Sequence, residues 1–111
     1  GGIEEAIKKC DRYRREHDLA VKIEIEVSSL DQFEQVLEQK KLVDIVMLDN
    51  MSLIDMQQAV DRAEKNVKLE ASGNISLSNV MDVAETGVDY ISVGAITHSA
   101  RALDISLLFN H

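Results

Sequence analysis

Residues that close apolar strands recur in this chain at a nearly constant interval. Glu26, Asp49, Ser72 and Gly94 each end a β-type run, and the gaps between them are 23, 23 and 22 residues. An interval of that size is one strand-plus-helix unit of a parallel barrel or open parallel sheet. In both architectures ligands bind at the rim formed by the C-terminal strand ends. The period alone therefore puts Glu26, Asp49, Ser72, Gly73 and Gly94 on one rim.

The units can be read one by one. Ile3, Ala6, Ile7, Cys10 and Tyr13 recur at helical spacing and predict a first helix to about His17. Lys22 to Val27 alternates strictly, with Ile23, Ile25 and Val27 on one face and Lys22, Glu24 and Glu26 on the other. Ser29 and Gln32 have capping-box spacing and open a helix carrying Leu30, Phe33, Val36 and Leu37. Asp44 to Leu48 reads as a buried strand ending in Asp49-Asn50. Ser52 is expected to cap a third helix, with Met56, Ala59, Val60 and Ala63 facing inward. Val67 to Ala71 is the next strand. Ser76 is expected to cap a helix with Leu77, Val80 and Ala84, closed by Gly87. Tyr90 to Val93 is the last strand. His98 to Leu103 is expected to begin another helix, before an apolar tail from Ile105 to Phe109.

Two strand ends carry small residues, Ala71-Ser72-Gly73-Asn74 and Val93-Gly94-Ala95, and each is expected to open into a helix. Small residues let backbone N–H groups approach a ligand, and a helix N-terminus favours an anion, so the pair can form a phosphate cradle. The same residues also suit ordinary tight turns. Glu24 and Glu26 leave a similar choice. They lie either on the wet face of an edge strand or in a barrel mouth, where a carboxylate holds sugar hydroxyls or, with Asp49, a Mg²⁺ ion. His98 is either a solvated residue at a helix start or a phosphate contact.

Composition narrows the class. The formal charge of −8 argues against a nucleic-acid partner and against an anionic membrane surface. Aromatic residues are 4% of the chain with no Trp, so the core is aliphatic. The lone Cys10 rules out an internal disulfide and a Cys-based zinc site, and its helical spacing predicts a buried small hydrophobe. No apolar run approaches the roughly 20 residues needed to span a bilayer, and a cytoplasmic location is expected.

Six segments taken together resemble one family. They are Glu24-Ile25-Glu26-Val27, Ile45-Val46-Met47-Leu48-Asp49-Asn50-Met51, Leu69-Glu70-Ala71-Ser72-Gly73-Asn74-Ile75, Gly87 through Ala95, Thr97-His98-Ser99, and Ala102-Leu103-Asp104-Ile105-Ser106. Their order and spacing resemble quinolinate phosphoribosyltransferase, also called nicotinate-nucleotide pyrophosphorylase (carboxylating), over nearly the whole chain. The resemblance implies an α/β fold of parallel βα units forming the second half of an open TIM-like barrel. It implies transfer of phosphoribose from phosphoribosyl pyrophosphate to quinolinate with Mg²⁺, decarboxylation to nicotinate mononucleotide, a role in de novo NAD synthesis, and a homo-oligomer. Carried over by motif, Glu26 and Asp49 would bind ribose hydroxyls and help hold Mg²⁺. Ser72, Gly73, Asn74, Gly94 and Ala95 would contact phosphate, and His98 would sit near the pyrophosphate end. Asn74 stands where many members have a second Gly.

The same resemblance implies that residues 1–111 form one partial domain, without the family's N-terminal sandwich domain and early barrel strands. No Lys or Arg lies at an expected strand end, although a site for a dianionic acid and a pyrophosphate needs fixed positive charge. The chain alone is therefore expected to be inactive, and its start at Gly1-Gly2 is read as a truncation. Two alternatives remain at this level. One is a non-catalytic half-barrel scaffold that self-assembles through open strand edges. The other is a phosphate-binding barrel enzyme of indole or imidazole metabolism, which the Glu-x-Glu strand and the Leu48-Asp49-Asn50-Met51 run disfavour.

Overall fold

A computed structural model describes the backbone of residues 2–96 and 102–108 and the side chains of residues 2–93. Helix α1 (Gly2–Glu16) leads into β1 (Glu24–Val27), α2 (Leu30–Leu37), β2 (Ile45–Asp49), α3 (Leu53–Ala63), β3 (Lys68–Ser72), α4 (Val80–Glu85), β4 (Tyr90–Ile96) and β5 (Ala102–Leu108). The strands form one sheet in the order β1-β2-β3-β4-β5. The first four run parallel, and β5 pairs antiparallel with β4.

Burial along the strands shows how the sheet is covered. Val27, Val46, Leu48, Leu69, Ala71, Ile91 and Val93 are buried. Their alternates Glu24, Glu26, Ile45, Met47, Asp49, Lys68, Glu70, Ser72, Tyr90 and Ser92 are all half-exposed or exposed. One face is thus packed under Ile7 of α1, Phe33 and Val36 of α2, Met56, Ala59 and Ala63 of α3, and Val83 of α4. The other face is open. A doubly wound sheet buries both faces, and its strand order reverses partway. Sequential order with one bare face is a sector of a barrel, one of the two architectures the period allows. It also explains why Asp44–Leu48 is only half buried: Ile45 and Met47 line the bare face.

Local chemistry sets the helix starts. Ser29 Oγ accepts the Gln32 N–H at 3.2 Å, while Gln32 Oε1 accepts the Ser28 N–H at 2.8 Å, a capping box whose return bond is displaced by one residue. Ser52 Oγ accepts the Asp55 N–H at 3.1 Å and caps α3. Gly87, at φ +97°, ends α4 as expected.

Four expectations are corrected. Cys10 is exposed, as are Ala6 and Tyr13. The buried residues of α1 are Ile7, in the core, and Asp11, which Arg14 and Arg15 cover at 2.8 and 3.0 Å. The Arg14 hydrogen bond above all holds the Asp11 carboxyl below the usual carboxylate range. Ser76 does not cap α4; Asn79 is its N-cap residue, and Leu77 lies outside the helix and is 85% exposed. Finally, Ala102 and Leu103 are strand rather than helix. The alternation of Leu103, Ile105 and Leu107 with Asp104 and Ser106 has a period of two, which suits a strand. β5 thereby covers the outer edge of β4, one of the two edges through which a half-barrel could close on a second copy.

At the N-terminal strand ends two carboxylates act as backbone locks. Asp44 Oδ2 accepts the Ile23 N–H at 2.7 Å and also meets Arg14 at 3.3 Å. Asp89 Oδ2 accepts the Leu69 N–H at 2.9 Å, and its own N–H donates back to the Leu69 carbonyl. Each Asp follows a buried valine, Val43 or Val88, so the two units repeat one local solution. Removing a half-buried acceptor strands its N–H partner. Asp89→Ala is expected to lower the unfolding free energy by about 1–2 kcal/mol, measured by urea titration. Lys68→Ala, which removes an exposed side chain, should change it by less than about 0.5 kcal/mol.

Candidate functional site

The ends of β2 and β3 lie side by side, with Asp49 and Ser72 as register partners. Beyond them both chains turn left-handed, at Asn50 (φ +54°) and at Gly73 (φ +79°) followed by Asn74 (φ +52°). The Asn50 N–H donates to the Ser72 carbonyl at 2.9 Å, extending the ladder one step past the strand. Met51 and Ile75, each 6% exposed, anchor the two turns in the core. A Cβ placed on Gly73 would lie 2.6 Å from Asn50 Oδ1 and 2.9 Å from Asp49 Oδ1. Glycine suits the positive φ there, and a Cβ would also force the Asn50 and Asp49 side chains to shift.

Below this rim the bare face is acidic. Glu26 pairs with Met47, one side-chain level beneath Asp49, and Glu24 lies one level lower still. Glu70 shares the Met47 level from the other side and accepts a hydrogen bond from Ser92 Oγ at 3.0 Å. Partial burial, and then the charges of Glu70 and Glu26, push the Glu24 carboxyl above its ordinary range. Lys68 is the cation on this face of the described strands, and it lies at the far end of β3. The rim can therefore accept hydrogen bonds from hydroxyl groups and attract a cation, while the turn beyond Gly73 is exposed at Asn74.

The expected site residues are distributed as follows. Glu26, Asp49, Ser72, Gly73 and Asn74 come together at the C-terminal end of β1 to β3. They are not level. The register shifts by 21 residues from β1 to β2 and by 23 from β2 to β3, so Glu26 sits below Asp49 although both end their strands by sequence. Gly94 and Ala95 are not a turn after β4. They lie within it, paired with Asp104 and Leu103 of β5. His98 is outside the described residues. The loop after Ser72 runs seven residues before α4 begins at Val80, so its donors are loop amides rather than a helix N-terminus. Asn50 was not singled out from sequence. An Asn just past a strand-ending Asp is the available signal, since Asn tolerates the left-handed region.

Residues 1–108 match the family model described as quinolinate phosphoribosyl transferase, C-terminal domain. A mitochondrial quinolinate phosphoribosyltransferase [decarboxylating] 2 of Nicotiana glauca is 38% identical, over 96% of this chain and 34% of its own length. A nicotinate-nucleotide pyrophosphorylase [carboxylating] of Mycobacterium leprae is 45% identical over 76% of this chain and 30% of its own. The solved nicotinate-nucleotide pyrophosphorylase from Francisella tularensis superposes with a TM-score of 0.76 at 42% identity, covering 94% of this chain and 36% of that one. The chain thus spans about a third of the length of the relatives it matches. The chain belongs to the quinolinate phosphoribosyltransferase family, within its C-terminal domain.

Proposed function

We propose that this chain supplies the ribose- and phosphate-binding half of a phosphoribosyltransferase barrel. Such an enzyme moves phosphoribose from phosphoribosyl pyrophosphate to quinolinate, with decarboxylation to nicotinate mononucleotide, in NAD biosynthesis. The observation that carries the proposal is the apposition of Asp49 to Gly73. It sets a carboxylate, an acceptor for sugar hydroxyls, beside a turn that is exposed at Asn74, where loop amides would meet phosphate. In this reading Glu26 and Asp49 take the ribose hydroxyls, and Ser72, Gly73 and Asn74 face phosphate. Gly94, Ala95 and His98 would complete the phosphate side.

The donor set suits Mg²⁺. Among the described residues no group of three or more His, Cys, Asp or Glu could hold a metal. Mg²⁺ usually takes one or two carboxylates and fills its remaining positions with water and substrate phosphate. Glu26 and Asp49 provide such a pair, and the bound ion would offset pyrophosphate charge. The protein's own part is to hold the ribose by its hydroxyls, so that C1 is presented with its leaving pyrophosphate oriented.

Among the described residues the bare face carries few cations. Glu24, Glu26, Asp49 and Glu70 line it, and Lys68 lies at its far end. A dianionic acid and a pyrophosphate need fixed positive charge, which in this reading comes from a longer protein. A homo-oligomer and a cytoplasmic location belong to the same proposal. Exposed Ile54, Leu77 and Met81 support the first, and the lone cysteine supports the second. Among the described residues no helix is long and apolar enough to cross a membrane. Plant relatives are named mitochondrial or chloroplastic, so fractionation of the native host decides the compartment.

Three outcomes are expected. Calorimetric titration of Mg²⁺ and phosphoribosyl pyrophosphate into the purified chain should show saturable binding, weakened at least about tenfold in Asp49→Ala, or roughly 1.4 kcal/mol; equal binding by both proteins would overturn the site. No nicotinate mononucleotide should form when quinolinate is added to the chain alone, as followed by chromatography. The third concerns pH. The folded Glu24 carboxyl titrates above its unfolded value near 4.5, so the folded state binds more protons between the two values. Stability should fall as pH rises through that window. Glu24→Gln should remove this slope and raise neutral-pH stability by less than about 1 kcal/mol, as read by thermal melts from pH 4 to 7.

A further inference from the structure

We propose that Asn50 is a positioning residue for the phosphate-facing turn, a role that rests on the reading of Ser72-Gly73-Asn74 given above. Asn50 touches this turn in two ways. Its backbone N–H bonds the Ser72 carbonyl at 2.9 Å, fixing where β3 ends. Its side-chain amide fills the space that a Cβ on Gly73 would enter, with Oδ1 2.6 Å and Cγ 2.8 Å from that position. The side chain thus packs against the bare α-carbon face of Gly73, next to the Asp49 carboxylate.

Asn50 holds a left-handed conformation at φ +54° while doing so. Among side-chain-bearing residues Asn is one of the few that occupies this region readily. Glycine would accept the backbone but leave the space beside Gly73 empty. Alanine would lose the amide and strain the backbone. The far side of the turn is held separately. Asn79 Nδ2 donates to the Asn74 carbonyl and its Oδ1 accepts the Ser76 N–H, each at 2.9 Å. The turn is pinned at its exit by Asn79 and at its entry by Asn50. Of the two, Asn50 is next in sequence to the ribose-side carboxylate, so it links the position of Asp49 to that of the phosphate amides.

The test uses the whole chain with Asn50→Ala, Asn50→Gly, Gly73→Ala and the double variant Asn50→Gly/Gly73→Ala. Two-dimensional amide NMR without ligand reads the turn, thermal melts read stability, and titration with Mg²⁺ and phosphoribosyl pyrophosphate reads affinity. The Gly73 and Asn74 amides should move or broaden in both Asn50 variants. Affinity should fall at least fivefold in Asn50→Gly while its melting curve stays near that of the parent, a split that loss of a merely structural residue would not give. Gly73→Ala should disturb the turn most, and trimming Asn50 in the double variant should recover part of the amide pattern, because the 2.6 Å clash is gone. Unmoved Gly73 and Asn74 amides in both Asn50 variants, or strict additivity in the double variant, would overturn the proposal. If the parent chain takes up no ligand, the binding reading fails, and the ligand-free amide shifts and the double variant still decide the role of Asn50.

Discussion

Everything in this molecule follows from burying only one face of a parallel sheet. Each βα unit lays its helix on the same side, so the apolar alternates Val46, Leu48, Leu69, Ala71 and Ile91 pack against helices. The other alternates are left free of the core. A strand buried on both faces could not carry Glu24, Glu26 and Glu70, because an unpaired buried carboxylate is too costly. The acidic face is therefore a consequence of the architecture as well as a resource. The sheet supplies rigid positions at which polar side chains need no internal partner.

The two ends of the strands use the same chemical group in opposite ways. At the N-terminal end Asp44 and Asp89 are satisfied by backbone N–H groups, and Asp44 also by Arg14. In each, Oδ2 is committed to joining one unit to the next. At the C-terminal end Asp49 borders a turn shaped by Gly73, with its neighbour Asn50 taking the structural contact. A carboxylate engaged by backbone N–H groups holds a fold together, whereas one beside a turn that a neighbour packs can meet a ligand. The division matches the general assignment of stability to one face of such barrels and of chemistry to the other.

Much of this was legible in the sequence, for identifiable reasons. Period-two alternation marked Ile23, Ile25 and Val27 as the packed side of β1. Ser29 and Ser52 announced their helices through cap chemistry. The strand-end period located Asp49 and Ser72, which are indeed register partners. What escaped depends on geometry that a linear interval does not contain. Equal spacing along the chain is not equal height in the sheet, and the 21-residue register between β1 and β2 drops Glu26 below the rim. The helical spacing of Ala6, Cys10 and Tyr13 does not show that Arg14 and Arg15 cover Asp11 while Cys10 is exposed. The short alternation from Leu103 to Leu107 was masked by its apolar content, so Gly94 was taken for a turn although it is strand. Asn50 was hidden because its role lies in a contact with Gly73, on another strand's end.

The charge of the bare face bears on how such a site can be complete. Four carboxylates face one another across three strands, and Glu24 already holds its proton more tightly than an isolated side chain. Like charges gathered in this way attract cations and resist free anions. A phosphorylated sugar approaches such a surface favourably only when its hydroxyls meet the carboxylates and its phosphates lie beyond them, toward the turn, or when positive charge arrives with it. The order of groups along the rim, carboxylate first and glycine turn next, is therefore an orientation device. In the proposed reading it would sort the two ends of a sugar phosphate by charge before any specific contact is made. A neutral turn beside the acids, with Asn50 and Asn74 flanking Gly73, would suffice for that sorting without a cation in the turn itself.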